Sequence, residues 1–248
     1  MDDSLRTFEG TFTVRNTEAN RYGQARLETL FDYFQELAGI HADKLGCGCR
    51  ALLEQKQTWF LMRVKMEVMR TPKLGDALTL RTWPSGFKRL YAVREGLFYD
   101  DEGEIARLTS YWVLLDLVRM RPLRLPESLC VPLSDNSDLP HYFDLDSKLS
   151  VDVHDNPLRM TVPEHFIDIN GHTNNTRYIS LVGDWLAKCC GGPQEIAGIT
   201  VHFLHETPVW SNVTIAGKIE EKGHFNVDIV KEGDEPVTVF AAEGECRK

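Results

Sequence analysis

The sequence predicts an α+β protein built from two tandem copies of one unit, each a long helix wrapped by an antiparallel sheet. Three observations carry this. The order strand, helix, four strands occurs before a proline- and aspartate-rich stretch and again after it. Each half holds one strongly amphipathic segment of helical length. Short identities also link the halves at set spacings. Thr13-Val14 and Thr161-Val162 lie 148 residues apart, as do Gly23 and Gly171. Thr71-Pro72 and Thr207-Pro208 lie 136 apart, the second half having the shorter connection after its helix.

In the first half, Phe8 to Val14 reads as a strand with Phe8, Phe12 and Val14 on one face. Leu27, Leu30, Phe31, Phe34, Leu37, Ala38 and His41 mark a helix ending near Gly46. Strands follow over Thr58–Met69 and Ala77–Trp83. Tyr91–Tyr99 and Ile105–Leu115 form a hairpin across Asp100-Asp101-Glu102-Gly103. Residues 1–125 form the first domain and 126–157 a linker along the surface, rich in proline and aspartate. The second domain, 158–248, repeats the order. It has a strand at Leu158–Val162, a helix ending at Cys190 and stopped by Gly191-Gly192-Pro193, and strands at 199–206, 213–219, 225–230 and 237–242. A helix followed by a sheet long enough to wrap it is the hotdog arrangement. A tandem pair completes within one chain what single units achieve by dimerising.

A net charge of −9 argues against a general nucleic-acid or membrane-surface binder. No apolar run reaches the length of a transmembrane helix, and Met-Asp-Asp-Ser does not open a signal peptide. The six cysteines contain no CxxC, so a reducing cytoplasm is the expected compartment.

The chemistry concentrates in Asp168-Ile169-Asn170-Gly171-His172-Thr173-Asn174-Asn175. Tyr178, Val182, Trp185 and Cys189 then recur at intervals of four, three and four, so this polar loop enters a helix that Asn174 or Asn175 can cap. Backbone N–H groups and the positive end of the helix dipole meet there, and those near Thr173 and Asn174 are the expected oxyanion donors. Taken singly, Asp168 is an ordinary turn residue and His172 an ordinary structural histidine; together at this spacing they favour function. His202 and His205 are expected on one strand face, with no third ligand for a metal. The repeat sharpens the contrast between the halves. Asn20, Tyr22 and Gln24 occupy the positions of Asp168, Asn170 and His172, and Arg70 that of Glu206. Only the second half keeps acid–base groups, so it is the expected catalytic half and the first the binding half.

The run Asp168 to Tyr178 resembles the D-x-N-x-H-x-N-N-x-x-Y signature of acyl-ACP thioesterases, tandem hotdog enzymes of plants and bacteria. The likeness extends to the Trp59 strand, Arg119-Met120-Arg121-Pro122 and Phe203-Leu204-His205-Glu206, and so covers essentially the whole chain. It implies hydrolysis of fatty acyl-ACP without a cofactor or metal, with Asp168, Asn170, His172 and Glu206 on the catalytic positions. Asp168 is then the nucleophile, held by Asn170 and His172, and Glu206 activates water; direct attack by water is the other assignment. Thr207 stands where plant members often carry a cysteine, and the start of the chain resembles a bacterial member. Met62 and Met66 are expected to line the acyl tunnel. Arg119, Arg121 and Arg124 form the densest cationic run, suited to an acidic carrier protein. The reading leaves room for a homodimer. A hotdog acyl-CoA thioesterase, an enoyl-thioester hydratase and an acyl-thioester sensor are the alternatives.

Overall fold

The structure, a computed structural model, describes residues 5–126, 136, 138–149, 155–169 and 171–247. Strand β1 (Phe8–Thr13) leads to helix α1 (Leu27–Lys44) and a short helix α2 (Cys49–Glu54), which the sequence reading lacks. Four long strands follow: β2 (Gln57–Val68), β3 (Ala77–Lys88), β4 (Tyr91–Asp100) and β5 (Gly103–Asp116), with a two-residue β6 (Arg121–Pro122). The second half runs β7 (Asp155–Thr161), α3 (Asn175–Cys190), β8 (Ile196–Phe203), β9 (Asn212–Ile219), β10 (His224–Lys231) and β11 (Val237–Cys246).

All these strands join one sheet in the order β1-β3-β4-β5-β2-β8-β11-β10-β9-β7, with β6 on β5. Reading outward from the centre, the order in one half repeats that in the other, as a duplicated unit requires. The seam is antiparallel β2 and β8, in register from Arg63 opposite His202 to Glu67 opposite Gly198. The two helices pack together inside the curled sheet, and one continuous hydrophobic core spans both halves, with Phe34, Met66 and Trp185 at 0% exposure. Gly96 lets α1 approach: a Cβ there would lie 3.0 Å from the Phe34 ring.

α3 carries the stronger end signals. Asn174 caps it by accepting from the N–H of Thr176 at 2.9 Å, and Gly191 closes it in the left-handed conformation at φ 76°. No helix is long and apolar enough to cross a membrane among the described residues.

Of the segment expected as a surface linker, Asn136 and residues 138–149 form a strap docked on the first-half sheet. Asn136 is buried and bonds the carbonyls of Arg6 and Pro84. Phe143 N–H donates to Thr109 Oγ1 at 3.0 Å, and Leu145 packs with Val93 and Tyr111. The fully buried Glu95 carboxylate is satisfied by Ser85, Thr109 and His141 Nδ1, the last at 2.8 Å. Lys88 closes the strap with ion pairs to Asp144 and Asp146, each 2.6 Å long. Polar composition signalled a loop, and these buried anchors give it a fixed course.

Candidate active site

The loop before α3 is shaped by its own backbone. Gly171, at φ 81°, allows a tight return in which the N–H of Asp168 donates to the His172 carbonyl and the N–H of Gly171 to the Asp168 carbonyl, both at 3.0 Å. Thr173 then ties the loop to the end of the β8 segment: its N–H and Oγ1 both donate to the carbonyl of Thr207. Tyr178, one turn into α3, donates its buried hydroxyl to Thr207 Oγ1 at 2.8 Å. Thr207 is wholly buried and thus a structural rivet between the loop, the helix and the strand.

This riveting brings His172 to Glu206. His172 Nε2 lies 2.9 Å from Glu206 Oε2, both side chains about a third exposed. They border a pocket of about 290 Å³ together with Asp168, Tyr178 and His205. Asp168 is half-buried on the loop and also borders a second cavity of about 290 Å³ that runs into the first half. Thr58, Trp59, Ile169 and Asn175 likewise border both. Both cavities open to solvent and share a border at Asp168; the first is the mouth and the second, lined mainly by first-half residues, the inner cavity. Asn170 lies outside the described residues.

Two expectations about this site need correction. The N–H groups of Thr173 and Asn174 are spent inside the protein, on the carbonyls of Thr207 (3.1 Å) and Phe166 (2.8 Å), and so are not free to hold an oxyanion. The next residue, Asn175, opens α3 and borders both cavities; its side-chain amide donates to Gln35 Oε1 at 3.1 Å, joining the two helices. The second correction concerns the tunnel. Met66 is fully buried in the close-packed core, and Met62 is the bulged residue of β2 where its pairing with β5 shifts register. Neither borders the inner cavity. Its walls are instead small residues on one face of α1 (Ala38, Gly39, Ala42) with Trp59, Ala92 and Trp112 opposite. Space is left there because α1 lacks side-chain volume, a signal carried in the sequence by Ala38-Gly39 and Ala42.

The two methionine and cavity assignments separate by experiment. Met66→Trp is expected to lower stability by about 1–3 kcal/mol through overpacking and to leave the cavity open. Gly39→Leu, on the cavity wall, is expected to fill part of the cavity and weaken binding of an apolar fluorescent probe at nearly unchanged melting temperature. Probe titration with thermal melting checks both.

His202 and His205 do not share surroundings. His202 is 5% exposed on β8, and burial, aided by the charge of Arg63, holds its imidazole down at about 4. His205 follows the end of β8 and is exposed at the mouth. No metal-binding cluster occurs among the described residues. Arg119, Arg121 and Arg124 are all exposed on and after the β5–β6 turn. That turn is organised by Asp116, whose Oδ1 accepts from the N–H groups of Val118 and Arg119. Its Leu117 borders the mouth and donates its N–H to the Lys56 carbonyl at 2.9 Å.

The position related to the site by the repeat contains a smaller cavity, about 120 Å³, between the Asn20–Gln24 loop and α3. Glu195 fills its polar end, accepting from the Gln24 amide and, at 2.9 Å, from Thr71 Oγ1. Arg70, at the position of Glu206, pairs with Asp100 instead. One fold thus carries two matched sites, of which one holds an imidazole–carboxylate pair and the other amides closed by a carboxylate.

Family models match both halves: the acyl-ACP thioesterase N-terminal domain over residues 6–133 and the acyl-ACP thioesterase C-terminal domain over 152–242. A chloroplastic palmitoyl-acyl carrier protein thioesterase of Gossypium hirsutum is 29% identical over 226 residues, covering 83% of this chain and 53% of the relative. An oleoyl-acyl carrier protein thioesterase of Coriandrum sativum is 24% identical, covering 83% and 60%. The chain spans little more than half the length of such relatives. Among solved structures, an acyl-ACP thioesterase from Bacteroides thetaiotaomicron superposes over 100% of both chains with a TM-score of 0.88 at 22% identity. A 12:0-ACP thioesterase from Umbellularia californica gives 0.83 at 21% identity over 97% of each chain. At those identities the likeness is one of fold, and the fold is the double hotdog.

Proposed function

We propose, from the premise that this chain belongs to the acyl-ACP thioesterase family, that it hydrolyses the thioester of a fatty acyl chain on acyl carrier protein, releasing the fatty acid and the carrier thiol. One observation carries the reading: Asp168 borders both the inner cavity and the mouth, beside a His172–Glu206 pair 2.9 Å long. A thioester at that junction has its chain directed into the first half (1–125) and its carrier outside, while residues 158–248 supply the chemistry and 126–157 connect the two.

In this reading the Asp168 carboxylate attacks the thioester carbonyl. The oxyanion forms at the N-terminus of α3, where the Asn175 N–H and the helix dipole face it. Collapse expels the carrier thiolate and leaves a mixed anhydride on Asp168. Glu206, fixed by His172 Nε2–H, takes a proton from water as that water attacks the Asp168 carboxyl carbon of the anhydride; the fatty acid leaves, Asp168 is regenerated, and Glu206 passes its proton on to the carrier thiolate. No cofactor enters this sequence of steps. Asn170, two residues after Asp168 in sequence, is assigned the role of holding the Asp168 carboxylate in line.

The carrier is acidic, and the chain at −9 needs a local cationic landing site. Arg119, Arg121 and Arg124 supply it near the mouth. Reversing Arg121 and Arg124 to Glu is expected to raise KM for acyl-ACP about tenfold, equivalent to about 1.4 kcal/mol, and to leave a short acyl-N-acetylcysteamine unaffected. Equal effects on both substrates would discard the docking assignment.

The test of the whole reading is thiol release from palmitoyl-ACP, run beside palmitoyl-CoA and an enoyl-CoA. Release from the carrier substrate at higher kcat/KM than from CoA is expected. Hydration of the enoyl thioester without thiol release would replace the reading by a hydratase.

A further inference from the structure

The inner cavity holds a charge that hydrolysis does not use. Arg94 lies on β4, is 7% exposed and borders the cavity. Its neighbour Glu95 is taken up by Ser85 on β3, Thr109 on β5 and His141 on the strap. Arg94 Nη1 donates to His41 Nδ1 at 3.0 Å and to Thr82 Oγ1 at 3.3 Å. His41 is itself wholly buried, with Nε2 3.0 Å from the carbonyl of Leu5. A carbonyl only accepts, so Nε2 carries the ring proton and Nδ1 offers its lone pair to the guanidinium. Burial, with the Arg94 charge beside it, holds His41 down at about 4, which keeps that ring neutral.

Both contacts of Arg94 are thus neutral acceptors on one nitrogen of a five-donor group. Among the described residues no carboxylate pairs with it, and burial pulls its own pKa down to about 10. An arginine placed this way is costly in an apolar lipid cavity unless something that enters the cavity compensates it. Its place along the cavity is also set. The wall formed by α1 runs from Gln35, bonded to Asn175 at the thioester end, through Ala38 and Gly39 to Ala42, next to His41. At 1.5 Å per residue that is about 10 Å of helix between the thioester end and the guanidinium.

We propose that Arg94 recognises an oxygen-bearing acyl chain, one whose far end carries a hydroxyl or oxo group that accepts hydrogen bonds from the guanidinium. His41 and Thr82 hold the guanidinium in place, and its remaining donors complete the inner end of the cavity. This rests on the thioesterase reading for the direction in which the chain enters. A plain alkyl chain reaching the same depth strips Arg94 of compensation, so the site discriminates against it.

The probes are two non-hydrolysable acyl-pantetheine amides of equal chain length, one plain and one ω-hydroxylated, with affinity read by calorimetry. The wild-type protein is expected to bind the hydroxylated amide about tenfold or more tightly, the range for a hydrogen bond to a charged group. Arg94→Met is expected to reverse the preference. Arg94→Gln, which keeps a donor without the charge and serves if the methionine variant does not fold, is expected to narrow it. A wild-type preference for the plain chain, or one unchanged in Arg94→Met, overturns the inference. The thioesterase reading fails separately: discrimination between the amides with no hydrolysis of any acyl-ACP removes that reading alone.

Discussion

Asp168→Asn and Glu206→Gln are each expected to lower kcat on acyl-ACP by about 10²–10⁴-fold, the range for loss of a positioned base or nucleophile, with folding and acyl-ACP binding retained. Both changes preserve shape and remove only charge. Asp168 sits on the border shared by mouth and inner cavity, so its neutralisation removes attack on a carbonyl held there. Glu206 acts one step later, and Glu206→Gln leaves His172 with a neutral partner at 2.9 Å. His172→Ala is expected to lower kcat more than it raises KM, because an orienting group acts mainly in the transition state. The matched positions in the first half supply the control. Gln24→Ala and Arg70→Ala break contacts to Glu195 and Asp100, on the side of the molecule that has no acid–base pair, and should leave kcat within a few fold. Single turnover in ¹⁸O-water separates the two hydrolytic routes. Attack by water on the carboxyl carbon of Asp168 deposits label in Asp168, whereas attack on the acyl carbon, as in direct hydrolysis, leaves none. An Asp168→Asn enzyme with near wild-type turnover would sink the assignment of the loop.

The duplicated architecture was legible because it rests on periodicity and on turn chemistry, both local. Thr71-Pro72 and Thr207-Pro208 open equivalent turns, and the sheet order closes on the same equivalence. The loop before α3 was legible for a similar reason: its glycine, its cap and the apolar stripe of the helix sit within one short stretch. What sequence did not show were properties that depend on who packs against whom. Period predicts that Met66 faces inward but not that inward means close-packed core, whereas a cavity arises where α1 presents Ala38, Gly39 and Ala42. The start of a helix pointed to donors near Thr173 and Asn174. That signal did not show that the loop returns on itself and consumes those two N–H groups. Arg94 and His41 drew no functional reading because they are 53 residues apart and come together only when β4 crosses α1.

Stability is expected to fall steeply as pH drops from about 6.5 towards 4, because His41 and His202 are folded in as neutral rings. Each has its imidazole lowered to about 4, chiefly by burial and further by a neighbouring arginine, Arg94 for one and Arg63 for the other. In the unfolded chain each returns to about 6.5. Between those values the unfolded state binds the extra proton, so unfolding free energy rises with pH across the window and is lost on acidification. A difference of about 2.5 pH units corresponds to about 3 kcal/mol per histidine at full protonation of the unfolded chain. One carboxyl acts in the opposite sense. Glu28, half-buried, is raised chiefly by burial, so it favours the folded state as pH falls and blunts the overall slope. His141 lies on the other side of neutrality. Burial lowers it, but pairing with Glu95 and Asp144 outweighs that and raises it, so its contribution is present below about 6.5 and fades as pH rises through its folded value. Single variants isolate the histidines from these offsets. His202→Gln at the β2–β8 seam and His41→Gln beneath the inner cavity should each remove about half of the histidine contribution to the slope of urea-unfolding free energy against pH between 4 and 6.5. His41→Gln should in addition weaken selection at the inner end of the cavity, since Arg94 loses the lone pair that holds it, whereas His202→Gln should not. Slopes in both variants equal to wild type would show that these rings charge without penalty in the folded protein, and the neutral-ring account of the Arg94 contact would fall with them.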